Sequence, residues 1–346
     1  MSTVYEVAER AGVSIATVSR VINGSSLVNA RTRERVLAAI SELGFVPNRS
    51  AQSLSLRRTD IVGLVALDRG SDASDSEVSS PLFLDELIRA VEGVLRGTKY
   101  SLLLTLGHPG EEFEQRVWEL SGKVDGLIFA EEVMPTARLA ALAGRIPVVS
   151  VAGQRDTGAD LVAVDNALGI RELAGHLLED HGYRRVCFVA GPGDSPDARQ
   201  RLAAFTQAVA EHPGCQLEPV LSGDFSEASG GAAARALLAE GAPPPVVACA
   251  NDQMAIGVLR ELQRHGVAVP SDVAVTGFDD VLISGLMSPT LTTVAQPLRQ
   301  LGRFAVQRLL DRIATPGLPA CTEILPTHLV VRESCGCQPN QTSQGR

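Results

Sequence analysis

Residues 3–24 read TVYEVAERAGVSIATVSRVING, and this stretch decides the first part of the fold. Thr3 suits an N-cap, with Glu6 three residues later as the return partner of a capping box. Val4, Val7, Ala8 and Ala11 then recur at helical spacing. Gly12 ends this helix and Val13 begins a tight turn. Ser14 can cap a second helix running to about Ile22, with Val18 and Val21 on its inner face. Asn23-Gly24-Ser25-Ser26 breaks it. Two short helices joined by a Gly-containing turn have the shape of a helix-turn-helix.

The second helix has a divided surface. Ile15, Ala16, Ser19 and Arg20 are free to face outward, and a helix of this kind fits the major groove of DNA. Arg20 can make a bidentate contact to guanine, and the hydroxyls of Thr17 and Ser19 suit phosphate oxygens. Helical spacing alone leaves a plain three-helix bundle, with Arg20 pointing into water, equally open. Downstream, a third helix is predicted over Ala30–Leu43, with Val36, Leu37, Ile40 and Leu43 inward and Gly44 just past its end.

Charge separates this head from the rest. Residues 1–58 carry eight Arg and no Lys against four Glu, a charge of +4, which leaves −13 for the remainder of a chain whose total is −9. A small basic head on a large acidic body implies that only the head meets nucleic acid. Of the 346 residues, 45% are hydrophobic and 21% charged, enough apolar material for two or three packed domains. The N-terminus carries charges where a signal peptide needs an apolar run, and no stretch of about 18 apolar residues occurs, so a cytoplasmic protein with no membrane partner is expected. Six scattered Cys, several within apolar runs, read as small buried hydrophobes rather than a disulfide framework.

From Ile61 onward, strand-like and helical stretches alternate. Apolar runs fall at 61–67, 101–106, 126–130, 147–151, 186–190, 246–250 and 273–278, with helical patterns at 83–96, 111–121, 136–143, 167–181, 197–211, 228–240 and 253–265. Alternation of this kind argues for parallel sheets covered by helices on both faces. The length argues for two such lobes. Ligands of open α/β sheets bind beyond the carboxyl ends of the strands, here in the cleft between lobes.

Enzyme signatures are missing, and no catalytic residue, cofactor or metal is expected. Gly191-Pro192-Gly193 lacks the third glycine of a dinucleotide fingerprint, and no P-loop occurs. The six His show no ligand spacing, and Cys335-Gly336-Cys337 is a lone pair that reads as a frayed tail rather than a metal site. Asp279-Asp280 has no nucleophile or metal nearby in sequence. Asp280 suits a helix N-cap, and so do Asn251 and Asp252.

The words of the head resemble the DNA-binding head of the lactose-repressor (LacI/GalR) family, and the continuation TRERVLAAISELGFVPN and AQSLSLRRT extends the likeness. The resemblance implies an all-α helix-turn-helix head (1–47), a hinge helix or linker (48–58), a two-lobed α/β effector domain of the periplasmic-binding-protein type I fold (59–333) and a C-terminal tail (334–346). Ile15, Ala16 and Arg20 take base-reading positions. Thr3, Ser14, Thr17, Ser19 and Asn23 join them as DNA-binding residues. Asn48 to Leu56 matches the hinge segment, where Leu54 is a minor-groove wedge and Ala51 allows two hinges to approach. Its composition also suits a flexible linker off DNA.

The body carries the same resemblance, through VDGLIFA, IPVVSV, AVDNALGIRELAGHLLEDHGYRRVCFVAGPGDSPDARQRLAAF, ACANDQMAIGVLRELQRHGVAVPSDVAVTGFDD and LVVRES. It implies a small-molecule effector, carbohydrate-like, held by Phe83, Arg201, Phe225, Asn251, Asp279 and Gln296, with Leu298 beside Gln296. Crossings between lobes are expected near 158–162, 287–291 and 319–324. Two departures stand out. Ser80-Pro81-Leu82-Phe83, behind an acidic insertion at 70–79, replaces Asn-Pro-Phe-Phe. Ala152-Gly153-Gln154-Arg155 replaces the usual Asp after the VVSV strand, and Arg155 hints at an anionic effector. No leucine heptad tail follows LVVRES, so a homodimer is expected. The whole points to a repressor of pseudo-palindromic operator DNA.

Overall fold

A computed structural model describes residues 2–22, 24–25, 27–45, 58–68, 82–153, 157–241 and 243–338. Two compact units are present, Met1–Thr59 and Asp60–Arg346.

The first unit holds three helices: α1 (Val4–Ala11), α2 (Ile15–Ile22) and α3 (Ala30–Leu43). The capping box forms. The Glu6 N–H donates to Thr3 Oγ1 at 3.3 Å, and the Thr3 N–H to Glu6 Oε2 at 3.0 Å. Gly12 closes α1 in the left-handed region at φ 63°, where a side chain would be strained. Val7, Ala8, Ala11, Val18, Val21, Val36 and Ala39 make the core. Leu37, expected inside, is 51% exposed. The inward stripe of α3 steps 36, 39, 40, 43, the helical period that skips 37.

The second unit is two-lobed. The first lobe has a parallel sheet in the order β12-β5-β4-β3-β1-β2, formed by β1 (Ile61–Leu67), β2 (Ser101–Gly107), β3 (Gly126–Phe129), β4 (Val148–Ser150), β5 (Asp160–Val164) and β12 (Thr322–Leu325). Its helices are α4 (Leu82–Leu95), α5 (Glu111–Leu120), α6 (Thr136–Ala143) and α11 (Leu298–Ala314). Apolar clusters fill both faces.

The second lobe has the order β10-β9-β6-β7 with β8 also beside β6, all parallel: β6 (Arg185–Ala190), β7 (Gln216–Leu217), β8 (Leu221–Ser222), β9 (Val246–Cys249) and β10 (Ala274–Thr276). It is covered by α7 (Asn166–Gly175), which runs on as a π-helical turn (His176–Asp180), and by α8 (Pro196–Glu211), α9 (Glu227–Ala239) and α10 (Asp252–Arg264). An antiparallel ribbon of β11 (Thr293–Ala295) and β13 (His328–Val330) completes it. Gly230 and Gly257 let α9 and α10 touch backbone to backbone: a Cβ on either would lie 2.0 Å from a carbonyl oxygen of the other helix.

Three expectations need correction. The lobe crossings fall after β5, between β11 and α11, and between β12 and β13, each several residues beyond the expected place. Asp160 explains the first. It begins β5 fully buried, accepting from Arg308 Nε (2.9 Å), Arg312 Nη1 (3.2 Å) and the Cys321 N–H (2.7 Å), so a charged residue that reads as a loop is the anchor of an interior strand. Asp280 caps no helix. It accepts from Arg332 Nη2 at 2.6 Å, and the short 3₁₀ turn that follows has Val281 at its N-cap. Ser334 and Cys335, expected in a frayed tail, are fully buried against the second lobe, where Ser334 Oγ donates to the Val275 carbonyl at 2.6 Å.

Candidate functional site

On the head, α2 presents the expected surface. Ser14 caps it, accepting from the Thr17 N–H at 3.2 Å, and its hydroxyl lies 2.9 Å from Thr17 Oγ1. Val18 and Val21 are buried. Ile15, Ala16 and Arg20 are exposed, with Thr17 and Ser19 half-buried beside them. Thr3 stands at the N-terminus of α1, engaged in its capping box. Asn23, Ala51 and Leu54 lie outside the described residues, as do the insertion at 70–79, Ser80-Pro81 and Arg155.

In the body, the carboxyl ends of both sheets face one cleft, about 910 Å³ including its open mouth. Phe83, Arg201, Phe225, Asn251, Asp279, Gln296 and Leu298 all line it, so residues spread over more than two hundred positions meet there. Arg201 is buried one turn into α8. Its Nε donates to Asn166 Oδ1 (2.8 Å), and its Nη1 to the Ala250 carbonyl (2.7 Å) and Asp279 Oδ1 (3.4 Å). The guanidinium plane lies over the Phe278 ring, 3.7 Å from its centroid. Nη2 has no protein partner among the described residues and remains as a donor toward the cleft.

Asp279 is held as tightly. Gln296 Nε2 donates to its Oδ1 at 2.5 Å, and its N–H to the Val294 carbonyl at 2.8 Å. Its φ of 122°, followed by 55° at Asp280, is a strained geometry of the kind that clusters at ligand sites. Burial pushes the Asp279 carboxyl up to about 6, against the pull of Arg201 and Gln296. Asn251 caps α10, accepting from the Met254 N–H at 2.9 Å, and donates to the Phe225 carbonyl at 3.0 Å. Phe225 sits at φ 73°, its ring over Gly191, where a Cβ would clash at 2.3 Å.

The cleft holds more than the sequence announced. Glu131 and Glu132 follow β3, and burial raises the Glu132 carboxyl. Glu132 Oε2 is buried without a hydrogen-bond partner among the described residues. Asp197, Asp224 and Gln253 complete the polar wall, and Gln253 Oε1 accepts from the Leu82 N–H (3.2 Å) across the two lobes. Buried Asn166 is the linchpin behind Arg201, donating also to Asp197 (2.8 Å) and Gln200 (3.0 Å). Asn166, Asp197 and Gln253 fall inside words that carry the family resemblance but have no chemical signature of their own, and Glu131, Glu132 and Asp224 are marked only by their position after β3 and β8.

Outside the cleft, Cys335 and Cys337 correct a further expectation. They are not a partnerless pair. His176, His181, Cys335 and Cys337 bring their ligand atoms within 4.8 Å of one another. The π-helical turn brings the two His together at a separation of five, a spacing that an α-helix does not place on one face.

Comparison with known proteins gives this geometry its context. Residues 3–48 match the family described as bacterial regulatory proteins, lacI family, and residues 174–335 match a periplasmic binding protein-like domain. The HTH-type transcriptional regulator CelR of Thermobifida fusca is 36% identical, with 96% of this chain and 98% of that protein covered. A lac repressor dimer bound to operator and the anti-inducer ONPF superposes with a TM-score of 0.82 at 30% identity, covering 96% of this chain and 99% of that one. A CelR–cellobiose complex gives 0.69 at 35% identity, covering 96% and 100%. With its helix-turn-helix head and its periplasmic-binding-protein-like body, the chain belongs to the lacI family of bacterial regulatory proteins and is a DNA-binding transcriptional regulator.

Proposed function

We propose that the protein is a homodimeric repressor of pseudo-palindromic operator DNA, acting in the cytoplasm, whose grip on DNA is set by a neutral, sugar-like effector bound between the lobes. The observation that carries this reading is the charge of the cleft. Glu131, Glu132, Asp197, Asp224 and Asp279 surround Arg201, which is itself tied to Asp279. An anionic effector would meet repulsion there, whereas a polyhydroxylated one finds acceptors on the carboxylates, a donor in Arg201 Nη2 and aromatic walls in Phe83 and Phe225. The similar lac repressor bound to operator and CelR bound to cellobiose support this reading.

We read the site as a binder and not an enzyme: its central acid, Asp279, is tied to Arg201 and Gln296 rather than set beside a nucleophile. The cytoplasmic assignment follows from the DNA partner. No helix among the described residues is long and apolar enough to cross a membrane.

On the head, we assign base reading to Ile15, Ala16 and Arg20, and backbone contacts to Thr3, Ser14, Thr17, Ser19 and Asn23, with Ala51 and Leu54 in the hinge. For the dimer, Leu82, Leu282, Ile283 and Leu286 gather beside α4 and α11 as an exposed apolar face fit for a second copy.

Selection from random DNA, followed by titration of neutral mono- and disaccharides against the selected complex, tests the reading. One sugar should both raise the thermal midpoint and release DNA, and Arg20→Ala should relax the preference at one base pair per half-site, at about 1–3 kcal/mol. Response to anionic metabolites alone, or turnover of the sugar, would refute it.

A further inference from the structure

The cluster at the end of α7 lies apart from the residues that line the cleft. His176 Nε2 lies 3.2 Å from His181 Nε2, 3.4 Å from Cys335 Sγ and 3.7 Å from Cys337 Sγ, and Cys337 Sγ lies 3.4 Å from His181 Nε2. A tetrahedral zinc, with Zn–N of about 2.0–2.1 Å and Zn–S of about 2.3 Å, sets its ligand atoms about 3.3–3.8 Å apart. Those four separations match edges of that tetrahedron to within a few tenths of an ångström, and the two that remain, from Cys335 Sγ to Cys337 and to His181, lie within 4.8 Å.

The surroundings are those of a metal's outer shell. His176 Nδ1 is 2.9 Å from Asp180 Oδ2, which fixes the ring proton on Nδ1 and leaves the Nε2 lone pair facing the cluster. Thr292 Oγ1 donates to Cys335 Sγ at 3.1 Å. The Tyr183 hydroxyl donates to the Cys335 carbonyl at 3.1 Å, while its ring stacks on His181. Cys335 is fully buried and His176 nearly so, but His181 and Cys337 reach the surface, which gives an ion its entry path.

We infer that His176, His181, Cys335 and Cys337 form a four-coordinate zinc site that staples the C-terminal segment to the second lobe. Two thiolates and two imidazoles are a soft, mixed set that suits Zn²⁺ over Mg²⁺ or Ca²⁺, and with four protein ligands the site is structural. The two thiol protons leave to solvent as the metal binds. His176 and Cys335 stand 159 residues apart, so the ion closes a long loop. The site sits at the beginning of β6, whose other end opens on the cleft. Six residues of strand place it about 20 Å from the cleft.

Untagged full-length protein, purified under reducing conditions, tests this by elemental analysis and cobalt substitution. One zinc per chain is expected, and Co²⁺ in its place should show visible d–d bands together with a thiolate-to-cobalt charge-transfer band. Cys335 is too buried to replace safely, so the variants are Cys337→Ser and His181→Ala, at the two half-exposed ligands. Each should weaken zinc at least about a hundredfold while operator binding stays within twofold of the parent. Chelation should lower the thermal midpoint of the parent and leave that of Cys337→Ser unmoved. Protein that takes up neither zinc nor cobalt after full reduction would overturn the site. So would zinc retained at parental affinity in both variants.

Discussion

Arg201 has three hydrogen-bond partners and, among the described residues, one amino group without a protein partner, and that division sets what its loss would do. Removing it entirely strands the buried Asp279, and breaking a buried pair in this way costs about 3–5 kcal/mol of stability. Arg201→Lys is the cleaner probe. It keeps a cation near Asp279 but cannot reach Asn166, Ala250 and a ligand together. Effector affinity should fall roughly tenfold to a hundredfold, the worth of a lost charged hydrogen bond, with operator affinity in the absence of effector unchanged. Calorimetric titration of the effector, with operator binding measured in parallel, checks both; a parental effector affinity would remove Arg201 from the site. Arg201, Asn251 and Asp279 were legible through the family resemblance, which reaches each of them inside a quoted word: DARQRLAAF, ANDQ and GFDD. Asn166 and Glu132 were not. Their meaning comes from what lies opposite them, and only the folded lobes supply that neighbour.

At the scale of elements, what alternates strongly was readable and what is short or polar was not. Strand β1 and helix α6 fall on their expected residues, because continuous apolar runs and helical periods have few competing readings. β5 was lost to its buried Asp160, β12 to its three exposed residues, and the π-helical turn to a His spacing with no helical meaning. Another element matters for assembly. The 3₁₀ turn Leu282–Gly285 and the residue after it expose Leu282 at 76% and Leu286 at 74%, beside Leu82 of α4. Large side chains this exposed on one face are costly unless covered. Leu286→Glu should therefore shift the protein toward a monomer in sedimentation velocity and weaken operator binding steeply, since each head then holds only one half-site. An unchanged sedimentation coefficient across the concentration range would show that the dimer uses another face.

Across the whole molecule, two buried carboxyls tie folding to pH. Burial raises Asp252, accepting from Ser284, Thr293 and the Val281 N–H, to about 8, with the nearby Asp279 adding to the rise. Asp279 itself, facing Arg201, Gln296 and the more distant Asp197, stands at about 6. An unfolded Asp titrates near 3.9, so between about pH 4 and 8 the folded chain holds protons that the unfolded chain has lost. The stability these groups contribute is complete below the unfolded value and is lost as pH rises through 6 and then 8. The body should therefore resist urea better at pH 5.5 than at pH 8.5. Effector binding should run the other way. Below pH 6 Asp279 is protonated and offers a neutral acceptor in place of a charged one, a difference of about 1 kcal/mol, or about fivefold in affinity. Urea midpoints and effector titrations at pH 5.5, 7 and 8.5 should thus move in opposite directions. Two trends of the same sign would show that Asp279 does not hold the effector.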